Sequence, residues 1–267
     1  MDRRIGLLIA IGLALAGCWD KSSFNERPQI PDQAKGKAYR DLQARLNGEP
    51  APASAAATAA PANTVPGPPP DEKLRFVEVT PEAIARGKES FAMCSGCHGL
   101  TAEGRVGIAP RLASASFLAA ASDRMLFDTI SRGREGTTMT PWGPALGDAK
   151  IREVIAYLRS LAPSEPAALD NHPLGGDAIA GQGTFQHICA TCHGRSGAGY
   201  QESGSGTGIG RRAFLSTVTD GYLRYVIKHG KSQTAMRPFA EGAKTAVANL
   251  SSDEIENVIA YLRHKAW

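Results

Sequence analysis

Apolar positions recur along this chain at helical spacing, and they do so twice. Ile151, Val154, Ile155 and Leu158 mark one face of a helix predicted over 148–161. Ile255, Val258, Ile259 and Leu262 mark the same face of a helix predicted over 252–265. Both contain the run Val-Ile-Ala-Tyr-Leu-Arg, letter for letter. Shorter helices are predicted over 123–132 and 220–229, each stopped by a glycine, Gly133 and Gly230. A further helix starts near Thr80 and Pro81, where Thr suits the cap and Pro the first turn, and its counterpart covers about 176–190. No convincing strand run is present. Each half of the chain therefore reads as three helices joined by long Gly-rich loops.

The halves are copies. Cys94-Ser-Gly-Cys97-His98-Gly99 returns as Cys189-Ala-Thr-Cys192-His193-Gly194. Asp123, Leu126, Ile130, Gly133, Met139 and Pro141 align with Asp220, Leu223, Ile227, Gly230, Met236 and Pro238 at a common offset of 97, and Trp142 aligns with Phe239. Upstream, Gly87-x-x-x-Phe91 matches Gly181-x-x-x-Phe185, the first copy being one residue shorter before its first Cys. Ordered matches over whole segments define two modules, 76–163 and 172–267. Modules of roughly 90 residues with so few large apolar side chains are marginal alone, so something besides protein should fill each core.

The repeated Cys turn supplies a candidate. Positions i, i+3 and i+4 share one helical face, so Cys94, Cys97 and His98 project together, as do Cys189, Cys192 and His193. Two thiols so placed suit the two vinyl groups of one haem, with the imidazole beneath the iron, and the spacing is that of c-type haem attachment. Other chemistries fit less well. A thioredoxin-type dithiol wants a βαβ frame. A shared zinc site would have to bring the two Cys pairs together across the repeat. A simple disulfide within each turn is the plain structural alternative. For the second axial position, Met139 and Met236 each precede a Pro by two residues on a loop, and a thioether is a soft ligand suited to haem iron. His229 and His187 are rival ligands in the second copy, while Met93 and Met125, without counterparts, are expected to fill core gaps. Pro110 could offer its carbonyl to the His98 ring. In the second copy Arg211 stands where that Pro would, in a longer loop, and two unequal haems are expected. Trp142, Arg132 and Arg134 are candidates to contact haem propionates.

Composition adds limits. A net charge of +4 with 21% charged residues leaves no basic field of the kind that nucleic-acid binders carry. Both modules are close to charge balance, so strong steering toward one partner is not indicated. The amino-terminal Met-Asp-Arg-Arg precedes an apolar run from Ile5 to Gly17, too short to span a bilayer. It ends Leu15-Ala16-Gly17-Cys18 and resembles the bacterial lipoprotein signal. Cleavage after residue 17 and acylation of Cys18 are then expected, anchoring the protein to the inner or outer membrane on the periplasmic side. Residues 18–75 form a lipid-anchored tether, with a candidate short helix over 36–46 and an Ala/Pro-rich stretch over 51–70 that reaches roughly 60 Å when extended.

The Gly-x-x-x-Phe helix, Cys-x-x-Cys-His, the Met-x-Pro loop and the carboxy-terminal Tyr-Leu helix together resemble the class I c-type cytochromes. The resemblance implies an all-α fold of two tandem class I cytochrome c domains. Each is a small helical module wrapped round one covalent haem c with six-coordinate, low-spin iron. It implies an electron carrier rather than an enzyme, passing single electrons between redox proteins of the periplasm or membrane in a respiratory or related chain. The layout resembles an exported dihaem cytochrome lipoprotein. The alternatives are a cytochrome subunit of a larger dehydrogenase or oxidase complex, a dihaem peroxidase, and a haem-based gas sensor.

Overall fold

Threonine and serine caps set where the helices of this molecule begin. The computed structural model describes residues 64–267. The export segment, Cys18, the candidate helix over 36–46 and most of the Ala/Pro-rich stretch lie outside them. In the first module α1 is Pro81–Phe91, with Thr80 Oγ1 accepting from the Ala83 N–H. A single turn, α2 (Ser95–His98), follows, then α3 (Ala115–Ala120), α4 (Asp123–Arg132) and α5 (Gly143–Leu161). Ser114 and Ser122 cap α3 and α4. The second module repeats the plan with α6 (Ala178–Thr184), α7 (Ala190–His193), α8 (Arg212–Leu215), α9 (Asp220–His229) and α10 (Ser252–Lys265). A capping box of Ser251 and Glu254 starts α10. Among the described residues the fold is all-α, with only two isolated bridges, Arg105 to Ala109 and Ala240 to Leu250.

The sequence reading placed α4, α9 and α10 at their observed bounds. It also placed the main run of α5 over 148–161 and missed only the turn over 143–146 ahead of Gly147, whose positive φ of 67° interrupts the helix. It missed α3 and α8, because their short, Ala- and Arg-containing sequences carry no apolar period to read. It also drew one helix over 176–190 where the chain changes pitch. Phe185–Cys189 is a π-helical turn set between α6 and α7. That turn takes up the extra residue that separates Phe185 from Cys189 relative to Phe91 and Cys94.

Each module is held by a crossing of its first and last helices. At Gly87 a Cβ would lie far inside van der Waals distance of the Glu153 carbonyl, and at Gly181 of the Asn257 carbonyl. Only hydrogen permits the two backbones to approach so closely. One turn on, Phe91 meets Tyr157 with ring centroids 5.3 Å apart, and Phe185 meets Tyr261 at 5.2 Å. The predicted apolar stripes of α5 and α10 are buried in the cores, as is Met125. Met93 is not a core residue: it is 48% exposed, because the helix ends at Phe91 and the turn carries the next side chains outward.

A buried arginine ties the last helix of each module to α4 or α9. Arg159 pairs with Asp123 at 2.7 Å and donates to the carbonyls of Leu118 and Ala121. Arg263 pairs with Asp220 at 2.8 Å and donates to the carbonyls of Leu215 and Val218. All the acceptors match at the offset of 97, so the repeat reproduces a hydrogen-bond network as well as a helix plan.

The end of the expected tether is docked rather than free. Val65 is buried, its N–H donating to the Arg263 carbonyl at 2.9 Å. Farther on, Asp71 pairs with Arg124 at 2.7 Å, the Leu74 carbonyl accepts from the Asp123 N–H, and Asp123 Oδ2 accepts from Phe76 and Val77. Residues 64–77 thus run as a strap from the second module to the first. A Pro-rich strand lacks the donors for a sheet, but it lies on a surface readily once arginines and an aspartate offer partners.

Candidate functional site

The two Cys turns follow directly on the crossing helices, so the close approach at Gly87 and Gly181 fixes where they sit. Cys94 closes the end of α1 and opens α2, and Cys189 does the same for α7. All four thiols, Cys94, Cys97, Cys189 and Cys192, are free. Burial, and secondarily the neighbouring Cys97, raises Cys94, and burial ahead of Cys192 pushes Cys189 up to about 12. A redox dithiol needs a lowered thiol pKa, and Cys94 and Cys189 have the opposite environment.

His98 is buried, and its Nδ1 lies 3.0 Å from the Pro110 carbonyl oxygen. His193 Nδ1 lies 2.7 Å from the Thr207 carbonyl. A carbonyl only accepts, so Nδ1 carries the proton in both rings and Nε2 keeps its lone pair for a metal. Burial lowers both imidazoles, the carbonyl contact partly offsets it, and Lys231 lowers both further. The second loop has no proline at this point. Gly206 makes room instead, since a Cβ there would crowd the His193 ring. The accepting carbonyl comes earlier in the loop than Arg211, from Thr207.

The Met loops are built alike. Gly133 and Gly230 both have φ of 68°, and a Cβ on either would strike the carbonyl of the following Met139 or Met236. The next residue, Arg134 or Lys231, donates its N–H to that Met carbonyl at 2.7 or 2.8 Å. Thr137 Oγ1 accepts from the Met139 N–H at 3.1 Å while donating to the Arg134 carbonyl, and Thr234 serves Met236 and Lys231 in the same way. The loops close where the Trp142 and Phe239 N–H groups bond back to Ile130 and Ile227. Sequence reasoning passed over Thr137 and Thr234, although their shared offset of 97 was the available signal.

Several candidates separate here. Met139 and Trp142 pack against the core. Arg132 turns outward, 77% exposed and within 3.5 Å of Asp128, whereas Arg134 turns inward. His187 and His229 are exposed, the first bonded to the Gly183 carbonyl and the second in a tilted ring contact with Tyr225.

The family described as cytochrome c oxidase, cbb3-type, subunit III matches residues 82–158 and again residues 176–262, together more than half of the chain. The chain belongs to this family. Its two modules are tandem class I cytochrome c domains of an electron-transfer family whose cofactor is covalently bound haem c. A curated relative from Azorhizobium caulinodans, the cbb3-type cytochrome c oxidase subunit FixP, is 33% identical over 144 residues, covering 49% of this chain and 47% of that protein. The FixP subunit of Rhizobium meliloti is 27% identical over 210 residues, covering 74% of this chain and 66% of its own. The first of these matches thus spans about half the relative's length. Among solved structures, a chain of the Kuenenia stuttgartiensis reducing HAO-like protein complex is 21% identical with a TM-score of 0.45, covering 72% of this chain and 99% of that one. The donor set fits haem c: paired thiols, an imidazole with a free Nε2, a thioether on a braced loop and inward-facing cations recur in each module.

Proposed function

We propose that this chain is a membrane-anchored, periplasm-facing dihaem cytochrome c that passes single electrons to or within a terminal oxidase complex. The observation that carries the reading is the doubled site, in which the same histidine seat and the same braced Met loop are built twice. Each haem c, when bound, supplies a reversible one-electron change at its iron. The chain's own residues hold it and set its environment. Cys94 and Cys97, and Cys189 and Cys192, would fix the two haems by thioether bonds. His98 and His193 present Nε2 because their Nδ1 protons are committed to the Pro110 and Thr207 carbonyls. Met139 and Met236 would supply the second axial ligand on loops stiffened by Thr137 and Thr234. An iron held by both a histidine and a methionine would keep no open position for substrate, which favours a carrier over a peroxidase or a gas sensor. The relatives named as oxidase subunits favour a place in such a complex over a free shuttle, and the lipoprotein-like segment ending at Cys18 favours anchoring.

A pyridine haemochrome assay should count two haems per chain, and redox-potentiometric absorption should give two low-spin centres. Met139→Ala should open one iron to carbon monoxide and lower that haem's potential, since Met ligation raises it. Unchanged spectra would reassign the ligand. Cys18→Ser should release the protein from membranes. In detergent extracts the wild type should migrate with oxidase activity, and migration apart from it would make the protein a shuttle.

A further inference from the structure

Two cations meet where the modules meet. Arg134 and Lys231 occupy the same place in the repeat, and each is tied through its backbone to its own Met loop. Their side chains then cross the boundary. The Arg134 guanidinium lies 4.7 Å from the ring centroid of Phe214 in the second module, and Lys231 Nζ lies 4.3 Å from that of Phe117 in the first. Phe117 and Phe214 also match at the offset of 97, so one contact is made reciprocally. Lys231 Nζ donates further to the Arg111 carbonyl at 3.4 Å, one residue beyond the Pro110 carbonyl that holds His98. Through backbone and side chain, Lys231 therefore joins the Met236 loop to the seat of the other module's histidine.

Among the described residues no acidic side chain balances this charge, and neither cation has a carboxylate within ion-pair distance. Aromatic faces help a cation but do not replace a counter-ion in a site withdrawn from water. Burial lowers Arg134 to about 10 and Lys231 to about 8, and the two positive charges lie close enough for Arg134 to lower Lys231 further. Both keep intermediate accessibility, so an anion can reach them. The partner that fits is anionic, carries more than one charge, and is held between the modules. Haem c, with its two carboxylates, has that chemistry. The Lys231 side chain at the first module's histidine seat and its backbone on the Met236 loop let one charge reach both sites.

We propose that Arg134 and Lys231 form one anion seat between the modules, occupied by haem carboxylates, through which Lys231 sets the potential of the first haem as well as the second. The inference rests on the dihaem reading above. It is tested on the full, haem-loaded chain by potentiometric titration with both waves resolved. Lys231→Met should lower both potentials, each by a roughly tenfold fall in the ferrous-to-ferric ratio at fixed potential, about 59 mV for a one-electron couple. Lys231→Arg should restore both, and Lys150→Met, at an exposed position, should move neither. Movement of a single wave, or of none, overturns the shared seat. Wild-type potentials that follow phosphate concentration at constant ionic strength would identify a free anion as the occupant and overturn it too. If Lys231→Met is recovered with fewer than two haems, Arg134→Met is judged by the same two-wave criterion. A wild-type count below two refutes the dihaem reading and the seat together. A count of two with unmoved potentials refutes the seat alone.

Discussion

Gly87 and Gly181 show how much one missing methyl group decides. Each lets a first helix lie against the carbonyls of a last helix, and the Cys turn that follows inherits its position from that contact. Alanine at either site must push the helices apart, and overpacking of this kind costs about 1–3 kcal/mol. Chemical denaturation of Gly87→Ala and Gly181→Ala should show that loss, and wild-type midpoints would deny the close approach. The buried arginines make a sharper comparison. Removing one partner of a buried pair costs roughly 3–5 kcal/mol, because the other charge is stranded. Asp123 is 1% exposed at its side chain whereas Asp220 is 26% exposed. Arg159→Met should therefore destabilise the protein more than Arg263→Met, and equal losses would show that solvent at Asp220 brings no relief. Of these residues the sequence disclosed the matched glycines, aspartates and arginines as letters at fixed offsets. It did not disclose that the arginines reach the aspartates, since their separation along the chain is bridged only after α3 and α8 turn their carbonyls inward.

Ahead of the Cys turns, the copies differ at the π-turn of Phe185–Cys189. One additional residue precedes Cys189, and a wider turn absorbs it without rotating the Cys-x-x-Cys-His face away from the module. Deleting His187, whose exposed ring bonds only the nearby Gly183 carbonyl, gives the second copy the spacing of the first. The variant should keep two haems and nearly unchanged potentials. Loss of the second haem would mean that the π-turn itself is required. The remaining helices were readable to different degrees for physical reasons. The helix over 252–265 has four branched or long aliphatic residues on one face and a capping box at its start, so period and boundary agree. Ala115–Ala120 is too short to show a period, with Phe117 and Leu118 as its only large side chains, and its burial in the fold makes it a helix.

For the described unit as a whole, a polar patch joins the modules beside the aromatic contacts of Arg134 and Lys231. Ser116 accepts from the Ser232 N–H at 2.7 Å and donates to the Gly230 carbonyl, and Ser114 meets Ser232 at 3.1 Å. The strap adds to this by binding Arg263 at Val65 and Arg124 at Asp71. Val65→Asp places a carboxylate at a buried position and should free the strap. Limited proteolysis should then cut ahead of residue 76 faster than in the wild type, and an unchanged rate would show that the strap holds without its apolar contact.

The sequence by itself determined the two modules, their all-α character, the haem-binding residue types and the pairing of each Met with its loop, because period, spacing and repetition are properties of a linear string. Tertiary structure decided which carbonyl seats His193, which arginine turns inward, where the tether stops being free, and that two cations of different modules face each other. Those outcomes depend on groups far apart in the chain competing for the same few buried partners, and no local pattern records who wins.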